Sequence, residues 1–368
     1  MLDSNAVLIT DEKGIVVEIT DHTNAGDDIQ QHNGLLCPGF INAHCHLELS
    51  HMKGVIPEKT GLVDFVQKII TARHFADEII FAAIENAENE MLQNGIVAVG
   101  DICNNTLTIP QKKKQRLQYH NFIEVSGFTP SVAQLRFDKA KNILAGYNTG
   151  QLTSSTLCPH APYSVSAELF ALLNNATAGA TITIHNQEAI AEDEFFKKGS
   201  GDFLRLYNQL GIDISFHRPS GKSSLQTWLP HFTNQQKIIA VHNVITAAED
   251  IAFSQRITRN AERITCFCLC PNANLYITGL LPNIDLLLTN NCKIVLGTDS
   301  LASNHQLSIW EEIKTLQKHF PHLALSNLLM WATLNGAEAV NMQEKLGSFE
   351  KGKQPGVLLL NDDVKRLL

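Results

Sequence analysis

No stretch of the 368-residue chain reaches the roughly 18 consecutive apolar residues that cross a bilayer, and its start, MLDSNAVLITDEKG, lacks a basic segment leading into an apolar one. No membrane partner or secretory leader is expected, and the sequence reads as cytoplasmic. Basic runs are scarce too. None exceeds Lys112-Lys113-Lys114, and 29 Lys plus Arg against 37 Asp plus Glu leave a net charge of −8, which weighs against a nucleic-acid partner. Those three lysines read as a solvated helix face. Among the eight cysteines there is no CxxC pair, so a disulfide framework or a zinc ribbon is not expected. Cys266, Cys268 and Cys270 alternate along TCFCLC, which puts them on one face of a strand as small buried hydrophobes. Charged residues make up 18% and apolar residues 44%, too apolar for disorder and enough for a sizeable core.

What is present is an alternation of short apolar runs with amphipathic segments. Ala6–Thr10 and Gly14–Thr20 flank Asp11-Glu12-Lys13-Gly14 and read as a hairpin, and Val357–Leu360 is a further apolar run near the other end. Between them lie eight candidate strands: Leu35–Ala43, Ile96–Ile102, Asn121–Val125, Ser155–Cys158, Ala180–His185, Ile238–His242, Thr265–Cys270 and Lys293–Gly297. The first intervening segments carry helical spacing, Leu62, Phe65, Val66, Ile69 and Ile70, then Ile80, Ala83, Ile84, Ala87 and Met91 before Gly95. Continuous apolar strands alternating with helices suit a parallel sheet covered by helices, and eight such units suit an α/β (β/α)8 TIM barrel. The expected organisation is a barrel over 35–344 with a small satellite β-sheet built from both chain ends, 1–34 and 345–368.

In such a barrel the site lies at the C-terminal ends of the strands, so the polar residues that end each apolar run carry the information. LLCPGFINA ends in His44-Cys45-His46, whose imidazoles share one side of the strand. ATITI ends in His185, KIIAV in His242 and KIVLGT in Asp299. A lone strand-end histidine is usually a satisfied rim residue, but five coincidences at one rim reverse that reading. Three neutral imidazoles and one carboxylate form a set suited to Zn2+ or Fe2+, and one such divalent ion would lower the pKa of its water towards 7 and supply hydroxide. Glu188, three residues past His185 on the same loop, is a carboxyl placed to move protons at that site.

PGFINAHCH (38–46), CPHAPYS (158–164), HNQE (185–188), VHN (241–243), CPNANL (270–275), GTDSLASN (297–304) and LGSFEKGK (346–353) together resemble the amidohydrolase superfamily, in its aminohydrolase branch that deaminates ring amines. The resemblance implies metal ligation by His44, His46, His185 and Asp299, with His242 against the metal-bound water and Glu188 moving protons. Two-metal members of that superfamily use a carboxylated lysine at the end of the fourth strand. Here no lysine lies between Lys141 and Lys197, and that strand ends in Cys158-Pro159-His160, which argues for one ion and leaves His160 to touch substrate. His46-Leu47-Glu48 also spells the HxE of zinc cytidine deaminases, but the PCxxC that class needs is absent. Glu48 and His51 follow the metal-binding pair on a loop that would face substrate. An HLE segment with a GxxDF helix start, here Gly61–Phe65, resembles the aminofutalosine deaminase subgroup. Two departures from the family pattern are a short segment before PGF, pointing to a reduced satellite sheet or an incomplete chain start, and Gln354-Pro355-Gly356 after GK.

The leading functional expectation is therefore a metal-dependent hydrolase of carbon–nitrogen bonds that deaminates a small aromatic heterocycle. Its substrate would be the adenine moiety of a nucleoside derivative, with Glu48 and His160 binding substrate and Glu188, His242 and Asp299 catalytic. The alternative is a hydrolase of a cyclic amide or chlorinated triazine on the same fold. A third reading is a noncatalytic barrel that binds a metabolite. A homo-oligomer is compatible with each. Ser300 and Asn304 are expected to brace the loop after Asp299.

Overall fold

The structure is a computed structural model that describes residues 5–149, 154–260 and 265–368. The expected hairpin forms, with β1 (Ala6–Thr10) antiparallel to β2 (Val16–Asp21). Asp11 closes its turn by accepting from the amides of Lys13 and Ile15 at 2.9 Å each.

The strand expected over Leu35–Ala43 is two strands, β3 (Leu35–Pro38) and β4 (Phe40–Cys45). The break falls at Gly39, where a Cβ would sit 2.3 Å from a Val97 methyl and 2.6 Å from the Pro355 carbonyl, so only glycine lets the chain cross between the two sheets. The barrel strands continue with β5 (Ile96–Cys103), β6 (Gln118–Val125), β7 (Ser155–Pro159), β8 (Thr181–Asn186), β9 (Lys237–His242), β10 (Thr265–Leu269) and β11 (Lys293–Leu296). The chain ends in β12 (Val357–Leu360) and β13 (Val364–Arg366).

β4-β5-β6-β7 and β8-β9-β10-β11 are two parallel four-stranded runs. Hydrogen bonds close them into one barrel. On one side the His185 amide donates to the His160 carbonyl at 2.9 Å, and on the other the Thr298 and Asp299 amides both donate to the His44 carbonyl at 3.1 Å. Gly297 permits that second closure, because a Cβ there would lie 2.8 Å from the His44 Cβ. β4, β5 and β8 are buried along their whole length, as strands covered on both faces require. Cys266, Cys268 and Cys270 are buried free thiols, as their spacing implied.

The satellite sheet has the order β13-β12-β3 and so joins both chain ends, with β3 pairing four residues past the expected boundary at 34. The hairpin docks beside it through the Val16 amide on the Lys353 carbonyl and the Gly352 amide on the Val16 carbonyl, both 2.8 Å. Helices Leu62–Ala72 and Asp77–Gln93 form where the spacing placed them. Loops after β4, β7, β8, β10 and β11 meet in an apolar cluster of their own that includes Met52, Tyr163, Phe195, Phe203, Ile277 and Ala302. No described helix is long and apolar enough to cross a membrane.

The lysine run departs from expectation. Lys113 and Lys114 are exposed, but Lys112 is fully buried against Asp101. The short helix Ile109–Lys112 ends by turning this side chain into the protein, where a carboxylate makes burial of the ammonium tolerable.

Candidate active site

Residues at or just beyond the ends of β4, β8, β9 and β11 converge at one pole of the barrel. Ligand atoms of His44, His185, His242 and Asp299 all lie within 4.8 Å of one another, and all four residues are buried. His46 joins them, its Nε2 lying 3.2 Å from Nε2 of both His44 and His185 and 3.3 Å from Asp299 Oδ1. Asp299 Oδ1 is 3.6 Å from His44 Nε2. Donor atoms about 2.0–2.2 Å from one ion stand a little over 3 Å apart, so the spacing of the His44, His46, His185 and Asp299 atoms fits a single divalent cation.

Neighbouring groups fix the direction of each ring. His185 Nδ1 donates to the His160 carbonyl at 2.8 Å, which leaves its Nε2 lone pair facing the cluster. His242 Nδ1 donates to Asn274 Oδ1 at 2.8 Å, leaving a buried Nε2 with no hydrogen-bond partner, 3.7 Å from Glu188 Oε1. Ser303 donates to Asp299 Oδ2 at 2.5 Å, and Asn304 spans the Thr298 carbonyl and Glu312 Oε1, both at 2.9 Å. Asn304 thus braces the loop as expected, but Ser303 takes the place expected of Ser300, whose own hydroxyl reaches only Ser303 Oγ at 3.3 Å. Gln187, His242, Asn243 and Asp299 adopt positive φ (48°, 75°, 61° and 57°), so the backbone holds uncommon conformations where the chemistry-bearing side chains turn inward.

Burial dominates the electrostatics. It pushes His44 down to about 4, which keeps the imidazole neutral with a lone pair to offer a cation. Burial pushes Glu188 up to about 7, so acid and carboxylate forms coexist near neutral pH and the group can both give and take a proton. Glu48 is also pushed up to about 7 by burial.

The remaining expected residues lie around this cluster. Glu48 is buried, with Oε2 accepting from the Asn104 amide at 2.9 Å and Oε1 without a partner. His160 bonds Ser164 Oγ through Nδ1 at 2.7 Å, and its ring centroid is 4.9 Å from that of His185. His51 turns away, with Nε2 on the Arg73 carbonyl at 3.0 Å. Sequence reasoning missed Glu124 at the end of β6, whose Oε1 is 3.7 Å from His185 Nδ1 and whose Oε2 accepts from Asn104 Nδ2 at 2.8 Å. The strand-end rule applied to NFIEV would have found it. It also missed Glu192, which accepts from the Gln187 and Glu188 amides at 2.9 and 3.3 Å and so shapes the loop that carries Glu188.

Burial pushes Glu192 and Glu312 up from 4.5 to about 8. A carboxyl whose folded pKa is raised binds its proton more tightly when native. The stability this contributes is complete below about pH 4.5 and is lost as pH rises through about 8. The Tm of wild type minus that of Glu192→Gln is expected to fall as pH rises across that window, because glutamine has no buried proton to lose there. A difference that stays constant or grows from about pH 5 to 8.5 would contradict the assignment.

The pattern of the amidohydrolase family matches residues 35–366. An adenosine deaminase of Helicobacter pylori is 26% identical over 327 residues, which covers 88% of this chain and 78% of the relative. The crystal structure of H. pylori aminofutalosine deaminase in complex with methylthio-coformycin aligns with a TM-score of 0.78 at 22% identity, covering 98% of this chain and 88% of that one. An adenosine deaminase from Xanthomonas campestris with bound zinc aligns at 0.71 and 22% identity, covering 94% and 78%. With its family pattern running from β3 to β13 and a barrel of the same fold, this chain belongs to the amidohydrolase family.

Proposed function

We propose that this protein is a mononuclear metal-dependent aminohydrolase that replaces the 6-amino group of an adenine nucleoside derivative by a carbonyl, taking up water and releasing ammonia. The observation that carries this reading is the buried Glu188 carboxyl 3.7 Å from His242 Nε2, beside the His44, His46, His185 and Asp299 cluster. The relatives point the same way, since the similar proteins include an adenosine deaminase and an aminofutalosine deaminase.

His44, His46, His185 and Asp299 would hold the ion. Bound there, a divalent cation such as Zn2+, or Fe2+ in its place, supplies Lewis-acid activation of water at neutral pH. The side chains do the rest. Glu188 delivers a proton to the ring nitrogen next to the attacked carbon. His242 Nε2 accepts a hydrogen bond from the attacking water, because Asn274 holds the other ring nitrogen as donor. Asp299 takes up the water's proton while Ser303 fixes its second oxygen. The low exposure of Glu188, His242 and Asp299 themselves limits bulk water at the reacting groups.

Glu48 accepts hydrogen bonds from ribose hydroxyls and His160 contacts sugar or base. A buried carboxylate oxygen without a partner is costly unless a ligand donor meets it, and Glu48 Oε1 is such an atom. Nucleosides should therefore outpace free adenine in kcat/KM by up to about 10²-fold where one such hydrogen bond is at stake. Glu48→Ala should shrink that ratio, as read from ammonia release on adenosine, 5′-modified adenosines, aminofutalosine and adenine. Deamination of guanine, cytosine or a pterin with no activity on any adenosine derivative would reject the substrate class. Chloride release from triazines or opening of cyclic amides without ammonia would favour the alternative hydrolase. The eight free thiols suit a reducing compartment, in keeping with a cytoplasmic enzyme. The pairing of β3 with β12 supports a two-part organisation, a composite small unit and a barrel.

A further inference from the structure

Asp101 and Lys112 form an ion pair with both side chains fully buried, Nζ to Oδ2 at 2.5 Å, below the rim of the barrel. Such pairs are costly, because two charges leave water, and an apolar pair of similar volume is often at least as stable. This one is built with every donor placed. Besides Asp101, Lys112 Nζ donates to Asn121 Oδ1 at 2.7 Å and to Cys103 Sγ at 3.3 Å, which uses all three ammonium hydrogens. The Tyr119 and Tyr147 ring centroids lie 4.9 and 5.0 Å from the same nitrogen.

The other oxygen of Asp101 has a different task. Oδ1 accepts from the Leu47 amide at 2.8 Å. The β4–β5 ladder ends with Cys45 opposite Asp101, and Leu47 is two residues farther on, beyond the strand. The Asp101 side chain therefore extends the ladder by one bond into the loop. The residue it grips stands between His46 and Glu48, one placed in the metal cluster and the other holding the unpartnered carboxylate oxygen.

We propose that Asp101, held in one rotamer by Lys112, is a positioning residue that sets the direction of His46 and Glu48 together, so that metal affinity and ribose recognition depend on one buried clamp. This rests on the reading of His46 as a ligand and Glu48 as a substrate contact. Lys112 is fixed from three sides, so Asp101 cannot rotate away from Leu47 without stranding a buried ammonium.

Two double variants separate the clamp from mere packing. Asp101→Asn with Lys112→Gln removes both charges and keeps an acceptor for the Leu47 amide. Asp101→Ala with Lys112→Met also removes both charges and leaves that amide without one. Zinc affinity is measured by chelator competition, KM and kcat on adenosine and adenine, and folding by circular dichroism. The Ala/Met protein is expected to bind zinc ~10–100-fold more weakly, as loss of an outer support of a metal ligand does, and to lose part of its preference for nucleoside over base. The Asn/Gln protein should keep wild-type zinc affinity. Equal zinc affinity in wild type and a folded Ala/Met protein would overturn the clamp, and so would a tenfold or greater loss in a folded Asn/Gln protein, an arm that stands even if the Ala/Met protein does not fold. Absence of zinc binding in the wild type would overturn the metal reading and the clamp with it, whereas zinc binding with an unchanged Ala/Met protein overturns the clamp alone.

Discussion

Glu188→Gln is expected to retain its fold and its metal and to lose a factor of ~10²–10⁴ in kcat, about 3–5 kcal/mol of transition-state stabilisation. Glutamine preserves the size of the side chain and its place on the loop held by Glu192, but it has no carboxyl proton to give. Burial keeps the Glu188 carboxyl at about 7, so kcat/KM should also fall as pH rises above neutrality and the acid form is depleted. His242→Asn should slow the reaction by removing the acceptor at Nε2, 3.7 Å from Glu188 Oε1. Steady-state ammonia release, with metal content measured on the same preparations, checks all three. Near-wild-type turnover in Glu188→Gln would remove the proton-transfer role and turn the mechanism towards amide hydrolysis with Asp299 alone.

Stripping the protein with a chelator is expected to abolish activity, and one equivalent of zinc or, without oxygen, ferrous iron per chain should restore it. The expectation of one ion rests on geometry. The second group of potential ligands among the described residues is Glu124, His160 and His185. It shares His185, whose Nδ1 is occupied by the His160 carbonyl and whose Nε2 faces the first cluster, so the two groups have no separate imidazole atom for a second ion there. A site that binds only the native state stabilises it by mass action, about 2.7 kcal/mol at a hundred times Kd. The Tm should therefore rise with free zinc in wild type and not in His185→Ala. Metal analysis giving two equivalents, or none after reconstitution, would end the mononuclear reading.

The strand-end rule was effective here because a parallel barrel converts position along the chain into position in space. An apolar run is a strand, its last residue reaches the rim, and eight rims make one circle. Thus the convergence of His44, His46, His185, His242 and Asp299, spread over more than two hundred residues of sequence, into one cluster was legible from the runs that precede them. The hairpin turn at Asp11 and the shared face of Cys266, Cys268 and Cys270 were legible because both are local, the first from turn chemistry and the second from the period of two along a strand.

What the sequence could not supply was anything that depends on which side chains meet across elements. The break at Gly39 is set by Val97 and Pro355, residues far along the chain that leave no room for a Cβ. Lys112, in a run of three lysines, carries the same sequence signal as its exposed neighbours. Only the tertiary structure places Asp101, Asn121 and Cys103 around its ammonium and makes it an interior residue. Glu124 and Asn104 likewise gain meaning from each other and from Glu48 and His185. Local periodicity fixes where a backbone goes and which residues end at the rim. The identity of a buried polar partner is decided by packing, because the cost of an unpaired charge or donor is settled only where two distant segments close on the same few ångströms.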